Sequence, residues 1–492
     1  MLTPSFDNGS ARLYTGHVLD LLAEMEPDSV DCAVTSPPYW SLRAYSGDQA
    51  RIWPDSRELC DAHEWGNSLR PHHPGQVPDN KAVHTDNAVG QNAARGQLCR
   101  NCGAWQGALG LEPTVDLYVA HLVQVFEAVK RVLKPTGVLF VNLGDSFAGS
   151  GGAHTHDHAN PGLSQSADRG GAHYKTDGGR GVAKVGSNLK PKDLCLIPER
   201  FVIAMQEAGW WVRSKVFWLK ESPMPESVRD RPTRAWEIIY VFTKQAQYFW
   251  DQEAVREPLS EATLADQRFE RGGAAETPYG EAIGKANGLG RGPRVATLAG
   301  RNLRDWWIIP PEPFSLEMCE ACGYIYETAG YRKLPFRREG ERKLVQCANC
   351  GEWDKWLSHF AAFPTGLPAR CIAASTSEHG CCAKCGKPWV REVERTVHTK
   401  GHGRTHIAGN DPMGGNGWEG VPRATIATKT TGWSPTCTCQ AGVVPATVCD
   451  PFSGTGSTGV AALRAGRRYV GLDISARYNE FAAYRLSQGV LL

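Results

Sequence analysis

A glycine-rich turn near the carboxyl end constrains the fold more than any other feature of this sequence. The segment "TVCDPFSGTGSTGVAALRAG" reads as an apolar strand, a turn and a helix, and its glycines Gly454, Gly456 and Gly459 have G-x-G-x-x-G spacing. "RRYVGLDIS" then supplies a second apolar strand, which ends in Asp473. A strand, a crossover helix and another strand predict a parallel sheet of the α/β class.

The same turn is a candidate ligand site. Glycines let a ligand approach the backbone at a helix N-terminus, and an acid about 20 residues later can hold ribose hydroxyls. No Lys-Ser/Thr pair follows the glycines, which excludes a phosphate-cradling P-loop. A nicotinamide or flavin site stays an alternative, but Asp450 ahead of the glycines suits a cationic group better than a pyrophosphate. S-adenosylmethionine has an ammonium group, a ribose and no phosphate. We therefore expect it to contact Asp450, Phe452, Ser453, Gly454, Gly456 and Asp473.

A second motif, "TSPPYW", follows another apolar strand. Two prolines end a strand because each fixes φ and removes a backbone donor. The exocyclic amine of a nucleobase is a poor nucleophile, since its lone pair is conjugated with the ring. The Ser36 hydroxyl and the Pro37 carbonyl could accept its N–H groups, with Pro37 and Pro38 fixing the carbonyl direction. Tyr39 offers a stacking face for a flipped base, and Trp40 is expected to border the pocket.

Together, "TSPPYW" and "DPFSGTGSTG" resemble the DNA amino-methyltransferases, which use S-adenosylmethionine to methylate N4 of cytosine or N6 of adenine. The tetrapeptide Ser36-Pro37-Pro38-Tyr39 lies far ahead of the glycine turn, as in the beta class of that family. "NLGDS" (142–146) and "HFAAFPTGLPARCI" (359–372) are similar to further segments of the class, and the second implies cofactor contacts from Phe363 and Pro364. The resemblance implies a Rossmann-like, circularly permuted methyltransferase fold. The cysteine-bearing segments lie outside the part that resembles the family, and they predict small zinc-binding insertions in this fold.

The first residue of the tetrapeptide bears on the target base. In the family, Asp is usual for adenine enzymes of this class and Ser for cytosine-N4 enzymes, so Ser36 favours cytosine and leaves adenine as the alternative. An amine methylase acting on RNA or on a protein amide is a further alternative, although protein amide methylases carry Asn at this position. The chain has no Pro-Cys pair, which argues against cytosine-C5 methylation. A different class of protein would be a zinc-bearing DNA-binding protein with an inactive methylase core.

Sixteen cysteines are many for a chain whose start lacks a signal-peptide core and which has no apolar run of membrane-spanning length. These features predict a reducing cytoplasm and no membrane partner. In that compartment closely paired cysteines indicate metal binding rather than disulfides. We expect three structural, tetrahedral zinc sets: Cys60, His63, Cys99 and Cys102; Cys319, Cys322, Cys347 and Cys350; and Cys382, Cys385, Cys437 and Cys439. Apolar surroundings predict that Cys32, Cys195, Cys371 and Cys449 are core residues.

A DNA methylase must hold the duplex backbone and extrude a base. The net charge is only +2, so any basic surface must be local. Candidate phosphate contacts are Arg229, Arg231 and Arg234 of "SVRDRPTR", together with Arg291 and Arg294 in the acid-free stretch 285–304. The expected partners are double-stranded DNA and, in the same system, a restriction endonuclease.

These assignments predict an α/β core interrupted by insertions. Residues 148–190, rich in Gly and His, are expected to form a mobile loop within the core. The predicted core segments are 1–54, 111–250, 356–380 and 441–492, with zinc-binding insertions at 55–110 and 381–440 and a target-recognition region with a zinc ribbon at 251–355.

Overall fold

The structure is a computed structural model, and the residues that it describes form fifteen ranges. They are 2–40, 51–53, 60–66, 96–148, 189–190, 192–223, 225–226, 228–259, 296–297, 300–312, 316–339, 342–354, 356–357, 363–400 and 423–488. Most of the predicted loop 148–190 lies outside them.

A nine-stranded sheet organises the described chain. Its strands are β1 (Phe6–Asp7), β2 (Ala11–Thr15), β3 (Val30–Thr35), β4 (Leu133–Leu143), β5 (Trp211–Leu219), β6 (Trp236–Thr243), β7 (Trp306–Ile308), β8 (Thr447–Asp450) and β9 (Arg468–Asp473). The principal helices are α1 (Val18–Glu24), α2 (Val115–Val132), α3 (Ile197–Glu207), α4 (Gly366–Ser375), α5 (Ser457–Arg464) and α6 (Ala476–Gln488).

The strand order is β1-β2-β9-β8-β3-β4-β6-β5-β7. The five strands from β2 to β4 in this order pair in parallel, whereas β6 runs antiparallel to both β4 and β5. This arrangement confirms the predicted α/β class. It also places the two ends of the chain side by side, because β8 and β9 come from the last fifty residues and β2 and β3 from the first forty.

Helix α2 illustrates why these segments form α/β units. Thr114 caps it by accepting the N–H of Leu117 at 3.2 Å, and Asp116 lies in its positive first turn. Apolar side chains at helical spacing, from Val115 to Val132, form its buried face. The chain then enters β4 directly. Pro135 and Gly137 would suggest a turn after the helix, but they lie in the first part of this strand.

The segment "RAWEIIYVFTKQAQYFW" contains one strand. Its two apolar runs suggest a hairpin, but only Trp236–Thr243 is a strand. The neighbours of this strand in the sheet are β4 and β5. Thr243 then turns back, its hydroxyl donating to the Gln245 carbonyl at 2.8 Å, and the polar stretch after it lacks the alternation that a second strand needs.

The described chain divides into two compact units. The first comprises 1–248, 305–372 and 447–492, and the second comprises 249–304 and 373–446. The predicted segment 251–355 is therefore divided between them, since its cysteines belong to the first unit and its amino-terminal half to the second.

The first unit contains the nine-stranded sheet and three smaller sheets near cysteine pairs. A single helical turn, Thr328–Tyr331, lies among them. The strands of these sheets are Arg51–Trp53, Trp65–Gly66, Gln97–Cys99 and Trp105–Gly107; Leu316–Cys319, Ile325–Glu327 and Trp356–Leu357; and Phe336–Glu339 with Arg342–Val345.

The second unit is built on a long antiparallel ribbon of Trp389–Lys400 and Arg423–Pro435, to which Ala296–Thr297 adds in parallel. Cys381–Cys382 pairs with Val443–Val444, and Glu253–Val255 forms a 3₁₀ turn. The buried Asp251 pairs with Arg391 at 3.0 Å.

In the part of the chain that the structure describes, none of the helices combines the length and apolarity needed to cross a membrane.

Asp31 joins three central strands whose residues are far apart in sequence. Its carboxylate is buried on β3, accepts the Thr447 N–H at 2.8 Å and pairs with Lys134 Nζ at 2.7 Å. Because Asp31→Ala would leave both partners without this acceptor, we expect it to lower the free energy of unfolding by about 3 kcal/mol in urea titrations.

The matched control is Asp230→Ala, which breaks an ion pair with Lys192 in which the carboxylate is 55% exposed. An exposed pair of this kind contributes little to stability. Equal losses in the two variants would contradict the assignment of Asp31 as the residue that joins the strands.

Candidate active site and metal-binding clusters

The two sequence motifs meet at one edge of the sheet. β3 and β8 are neighbouring parallel strands, with Cys32 opposite Val448 and Ala33 opposite Cys449. Their carboxyl ends, Thr35 and Asp450, therefore lie side by side. The carboxyl edge of a parallel sheet is where ligands bind in α/β proteins, so the tetrapeptide and the glycine turn face a common site.

A buried carboxylate connects the motifs. Asp450 Oδ1 accepts the Thr35 hydroxyl at 2.6 Å and the Phe452 N–H at 3.0 Å, while Oδ2 accepts the Thr458 hydroxyl at 2.7 Å. Asp450 is only 1% exposed, and these bonds direct both its oxygens into the protein. This differs from the expectation that the carboxylate faces the ammonium group of the cofactor. Asp450 instead holds the glycine turn against the end of β3.

The glycines of the turn have distinct roles. Gly454 and Gly456 adopt the left-handed φ values of 52° and 78°, which side chains with a Cβ rarely adopt. A Cβ at Gly459 would lie 2.6 Å from the Tyr469 ring, so this glycine permits close packing of α5 on the sheet. The G-x-G-x-x-G spacing thus has the structural basis that a cofactor loop requires.

Asp473, at the end of β9, is positioned by the same loop. Its carboxylate accepts the N–H groups of Gly454 and Ser475, each at 2.8 Å, and remains partly exposed. Burial raises its pKa to about 6 despite these donors. A partly exposed acceptor next to left-handed glycines is compatible with a ribose hydroxyl, and the contact of Asp473 with a cofactor stays a prediction.

The other predicted cofactor residues differ in exposure. Ser453 is buried and its hydroxyl is 2.8 Å from that of Tyr469. Phe452 is half-buried and packs against the main core. Phe363 and Pro364 directly precede α4, the first half-buried and the second buried, and their contact with a cofactor stays a prediction.

Tyr39 is held by its hydroxyl. It donates to Glu237 Oε2 at 2.8 Å and lies 3.0 Å from Asn142 Oδ1, while the Ser36 hydroxyl donates to it at 3.3 Å. A Cβ at Gly144 would lie 2.5 Å from the tyrosine ring, so the ring rests directly on this backbone. Burial and the charge of Glu237 raise the pKa of Tyr39 well above its ordinary value, which keeps the hydroxyl protonated.

The residues around the tetrapeptide fix its carbonyls. The Tyr118 hydroxyl of α2 donates to the Pro38 carbonyl at 2.7 Å, which commits that oxygen to the scaffold. Trp40 is 2% exposed and donates to the Glu112 carbonyl at 2.8 Å. The expectation that Trp40 borders the base pocket was wrong, because the chain turns its indole into the core.

Several residues of this network were missed by sequence reasoning. Asn142 was noted only as part of "NLGDS", and Tyr118 reads as one of many apolar positions in a helix. Glu237 had a usable signal, since it is the only acid in the otherwise apolar strand "WEIIYVFT". A charge in such a strand requires a partner, and here Lys220 Nζ contacts its second oxygen.

The candidate DNA-contact arginines differ in their exposure and in their partners. Arg229 is exposed. Arg231 stacks on Phe147 with its guanidinium carbon 3.9 Å from the ring centroid, and Arg234 donates to the Asp145 carbonyl. These two therefore also serve the scaffold.

In the acid-free stretch, Arg291 and Arg294 lie outside the described residues. Arg301 and Arg304 both pair with Glu257, at 2.8 and 2.7 Å. Their charge is thus offset by an acid from outside the stretch, which counting along the sequence did not show.

The twelve predicted metal ligands form the three predicted clusters. Within each cluster the four candidate ligand atoms lie within 4.8 Å of one another. Sγ atoms of Cys60 and Cys99 are 3.6 Å apart, as are those of Cys319 and Cys350. Tetrahedral zinc with bonds of about 2.3 Å separates its sulfur ligands by about 3.8 Å, so the clusters fit this ion.

A repeated local turn explains the geometry of these clusters. Four C-x2-C pairs are each followed by glycine, at Gly103, Gly323, Gly351 and Gly386, and each glycine has φ between 70° and 80°. Each donates its N–H to the carbonyl of the first cysteine at 2.8 to 3.0 Å. The turn directs backbone N–H groups at the sulfur of the first cysteine. At Cys382, the N–H groups of Cys385 and Lys384 lower the pKa of the thiol to about 6.

The second cluster packs on the last helix. Leu316 and Met318, beside Cys319, form an apolar cluster with Phe481 of α6. On the same helix, Ala482 lies against Gly456, and Arg485 donates to the Thr455 carbonyl at 2.8 Å. α6 therefore contacts both this cluster and the glycine turn.

A family model described as DNA methylase matches residues 30–383 and 445–484, which include both motifs of the site. The chain belongs to this family of DNA methylases.

Two methyltransferases illustrate the range of its relatives. The Type II methyltransferase M.XycI of Xanthomonas campestris pv. cyanopsidis is 32% identical over 259 residues, which is 52% of this chain and 62% of that protein. M.SfiI of Streptomyces fimbriatus is 26% identical over 97% of this chain and 91% of its own length. The chain thus spans less than two thirds of M.XycI and nearly the whole of M.SfiI.

Among solved structures, a putative DNA modification methylase from Thermus thermophilus, complexed with S-adenosyl-L-methionine, is 15% identical. The match covers 97% of this chain and 93% of that one, with a TM-score of 0.37.

The buried carboxylate of Asp450 is expected to make the stability of this DNA methylase depend on pH. Burial raises the pKa of Asp450 from 3.8 to about 6. A raised folded-state pKa stabilises the fold below the unfolded value, and this stabilisation is lost as the pH rises through about 6. We expect the free energy of unfolding of the wild type, minus that of Asp450→Asn, to fall by up to about 3 kcal/mol between pH 4 and 7.5 in urea titrations.

Asp116→Asn, which alters a 71% exposed carboxylate, is the control and should give a smaller change. A difference for Asp450→Asn that does not vary with pH would show that the buried carboxylate is not the titrating group.

Proposed function

We propose that this protein is a site-specific DNA methyltransferase, which transfers a methyl group from S-adenosylmethionine to the exocyclic amine of a flipped base in double-stranded DNA. The observation that carries the proposal is the hydrogen bond between Thr35 and Asp450, which joins the tetrapeptide and the glycine turn at one sheet edge. The family match and the relatives named methyltransferases support it.

Each residue of the site has a separate proposed role in binding or in methyl transfer. When bound, S-adenosylmethionine supplies an electrophilic methyl group on a sulfonium. Asp473 and the left-handed glycines of the turn would hold its ribose, and Asp450 would act by fixing the turn. Ser36 Oγ and the Pro37 carbonyl accept the two N–H bonds of the target amine, which turns the nitrogen lone pair toward the methyl group. Tyr39 offers its ring for stacking.

The proposed target is N4 of cytosine, with N6 of adenine as the alternative. The argument rests on Ser36, because serine in this position is usual among the cytosine-N4 enzymes that the motif resembles. Candidate phosphate contacts are Arg229, Arg231 and Arg234, and Arg291 and Arg294 are proposed on sequence alone. The segment 251–355 remains our proposal for target recognition, and a restriction endonuclease is the proposed partner in the cell.

The three cysteine clusters are proposed to hold structural zinc. Each offers four ligands and a tetrahedral spacing, which leaves no position for a catalytic water. The segments around them are polar and their sheets are short, so metal binding would supply part of their folding free energy.

Removing the acceptor hydroxyl tests the proposed chemistry. We expect Ser36→Ala and Tyr39→Ala each to reduce methyl transfer from radiolabelled S-adenosylmethionine to unmethylated genomic DNA by on the order of 100-fold. Cofactor affinity, measured by calorimetry, should stay within about threefold. The control Ser29→Ala removes an exposed hydroxyl that donates to the Glu26 carbonyl, and should leave activity unchanged.

Mass spectrometry of nucleosides from the methylated DNA identifies the base. N4-methylcytosine is expected; N6-methyladenine would refute the base assignment and leave the enzyme class intact. Wild-type protein that binds DNA and cofactor but transfers no methyl group would refute the enzyme class.

Loss of the second zinc should weaken cofactor binding. We expect Cys347→Ser with Cys350→Ser to release one zinc per chain and to lower S-adenosylmethionine affinity about tenfold. The reason is that α6 would lose the packing of Met318 on Phe481 and would hold the glycine turn less firmly.

The matched control is Cys437→Ser with Cys439→Ser in the third cluster, which belongs to the second compact unit. It should release one zinc with no change in cofactor affinity. Unchanged affinity after loss of the second zinc would disprove its link to the glycine turn.

A further inference from the structure

Methylation of an amine leaves a proton to be removed, and one carboxylate at the active edge is placed to receive it. Glu237 is the second residue of β6, and its side chain is 18% exposed. Its Oε2 accepts the Tyr39 hydroxyl at 2.8 Å, and its Oε1 contacts Lys220 Nζ. Because it is bonded to the tyrosine of the tetrapeptide, this carboxylate can act on the site through Tyr39.

The hydrogen bonds run in one direction. The Ser36 hydroxyl donates to Tyr39 Oη, at 3.3 Å, and the Tyr39 hydroxyl donates on to Glu237. Each hydroxyl has a single proton. Tyr39 Oη also lies 3.0 Å from Asn142 Oδ1, but a carboxylate is a stronger acceptor than an amide oxygen, so the chain of donors runs from Ser36 through Tyr39 to Glu237. The lone pairs of Ser36 are therefore left to accept an N–H bond of the target amine.

We propose that Ser36, Tyr39 and Glu237 form a proton-exit path, in which Glu237 is the terminal acceptor of the proton that the amine loses. This inference rests on the proposed methyltransferase function and adds residues that the two sequence motifs do not contain.

The step balances in atoms and charge. The amine nitrogen forms a bond to the methyl carbon, the carbon–sulfur bond breaks, and its electron pair stays on sulfur as the neutral thioether. The nitrogen, now cationic, passes a proton to Ser36 Oγ. Ser36 passes its own proton to Tyr39, and Tyr39 passes its proton to Glu237. The products are a neutral methylated amine and a protonated Glu237, which releases the proton to solvent from its exposed edge.

The surroundings of the path favour this direction. Lys220, which follows β5, contacts Glu237 Oε1, so the Oε2 atom is the one that accepts from Tyr39. Asn142 of β4 faces Tyr39, with its amide fixed because Nδ2 donates to the Ile238 carbonyl at 3.2 Å. Tyr118 of α2 also faces Tyr39, but its proton is committed to the Pro38 carbonyl. The charged partners of the path are thus Lys220 and Glu237.

The test exchanges the carboxylate for an amide that still accepts the Tyr39 bond. In the double variant Glu237→Gln with Lys220→Gln, the amide oxygen can accept the Tyr39 hydroxyl and the amide N–H₂ can meet an uncharged acceptor. We expect its single-turnover rate on unmethylated genomic DNA to fall by on the order of 100-fold. S-adenosylmethionine affinity should not change.

The pH profile separates proton transfer from positioning. The wild-type rate should decrease at acidic pH, because the path must end on a carboxylate that can take up a proton, whereas the double variant should lose this dependence. The matched control exchanges another Glu–Lys pair on neighbouring elements, Glu199→Gln with Lys215→Gln, whose atoms are 2.8 Å apart. It should keep both the rate and the profile of the wild type.

A rate within about threefold of the wild type, or a slow variant that keeps the wild-type pH profile, would overturn the proposal. If the double variant does not fold, Tyr39→Phe tests the path instead, because it keeps the ring and removes the relay hydroxyl; a wild-type profile in it would equally overturn the proposal. An inactive wild type would instead overturn the proposed function, which separates the two failures.

Discussion

The hydrogen bonds of one buried carboxylate bring the two halves of the site together. Asp450 binds the Thr35 hydroxyl on one side and the Thr458 hydroxyl on the other, so the end of β3 and the start of α5 share one acceptor. Removing a charge from water is costly, and three short donors offset that cost only if all are present. The position of the tetrapeptide relative to the glycine turn therefore depends on this acid.

Local patterns predicted the parts of the site, and long-range contacts decided how those parts are used. The glycine spacing and the Pro-Pro strand end are properties of a few consecutive residues, and both have the predicted form. The direction of the Asp450 carboxylate depends on Thr35, 415 positions away, and its burial depends on the whole sheet. For the same reason the indole of Trp40 was misplaced, since its acceptor, the Glu112 carbonyl, is 72 positions distant.

The cysteine clusters show where sequence reasoning is strong. A C-x2-C-G turn carries its own geometry, because the glycine closes a backbone hydrogen bond onto the first cysteine. The pairing of Cys60 and His63 with Cys99 and Cys102 was predicted across 35 intervening positions, because two half-sets of ligands complete one tetrahedron. No comparable rule exists for surface charge. Arg301 and Arg304 lie in a stretch of sequence without acids, yet both pair with Glu257 from outside that stretch.

Two carboxylates of the active edge, Asp450 and Glu237, have contrasting surroundings, and the contrast indicates what each can do. Asp450 is 1% exposed and its partners are neutral donors of the scaffold, so a proton released in the reaction would have no exit from it. The side chain of Glu237 is 18% exposed and lies between Lys220 and a hydroxyl that leads to Ser36. Exposure gives its proton a way out to solvent, which returns Glu237 to the carboxylate form. A methyltransferase that needs both a rigid cofactor turn and an acceptor for a proton would require two acids placed in these two ways.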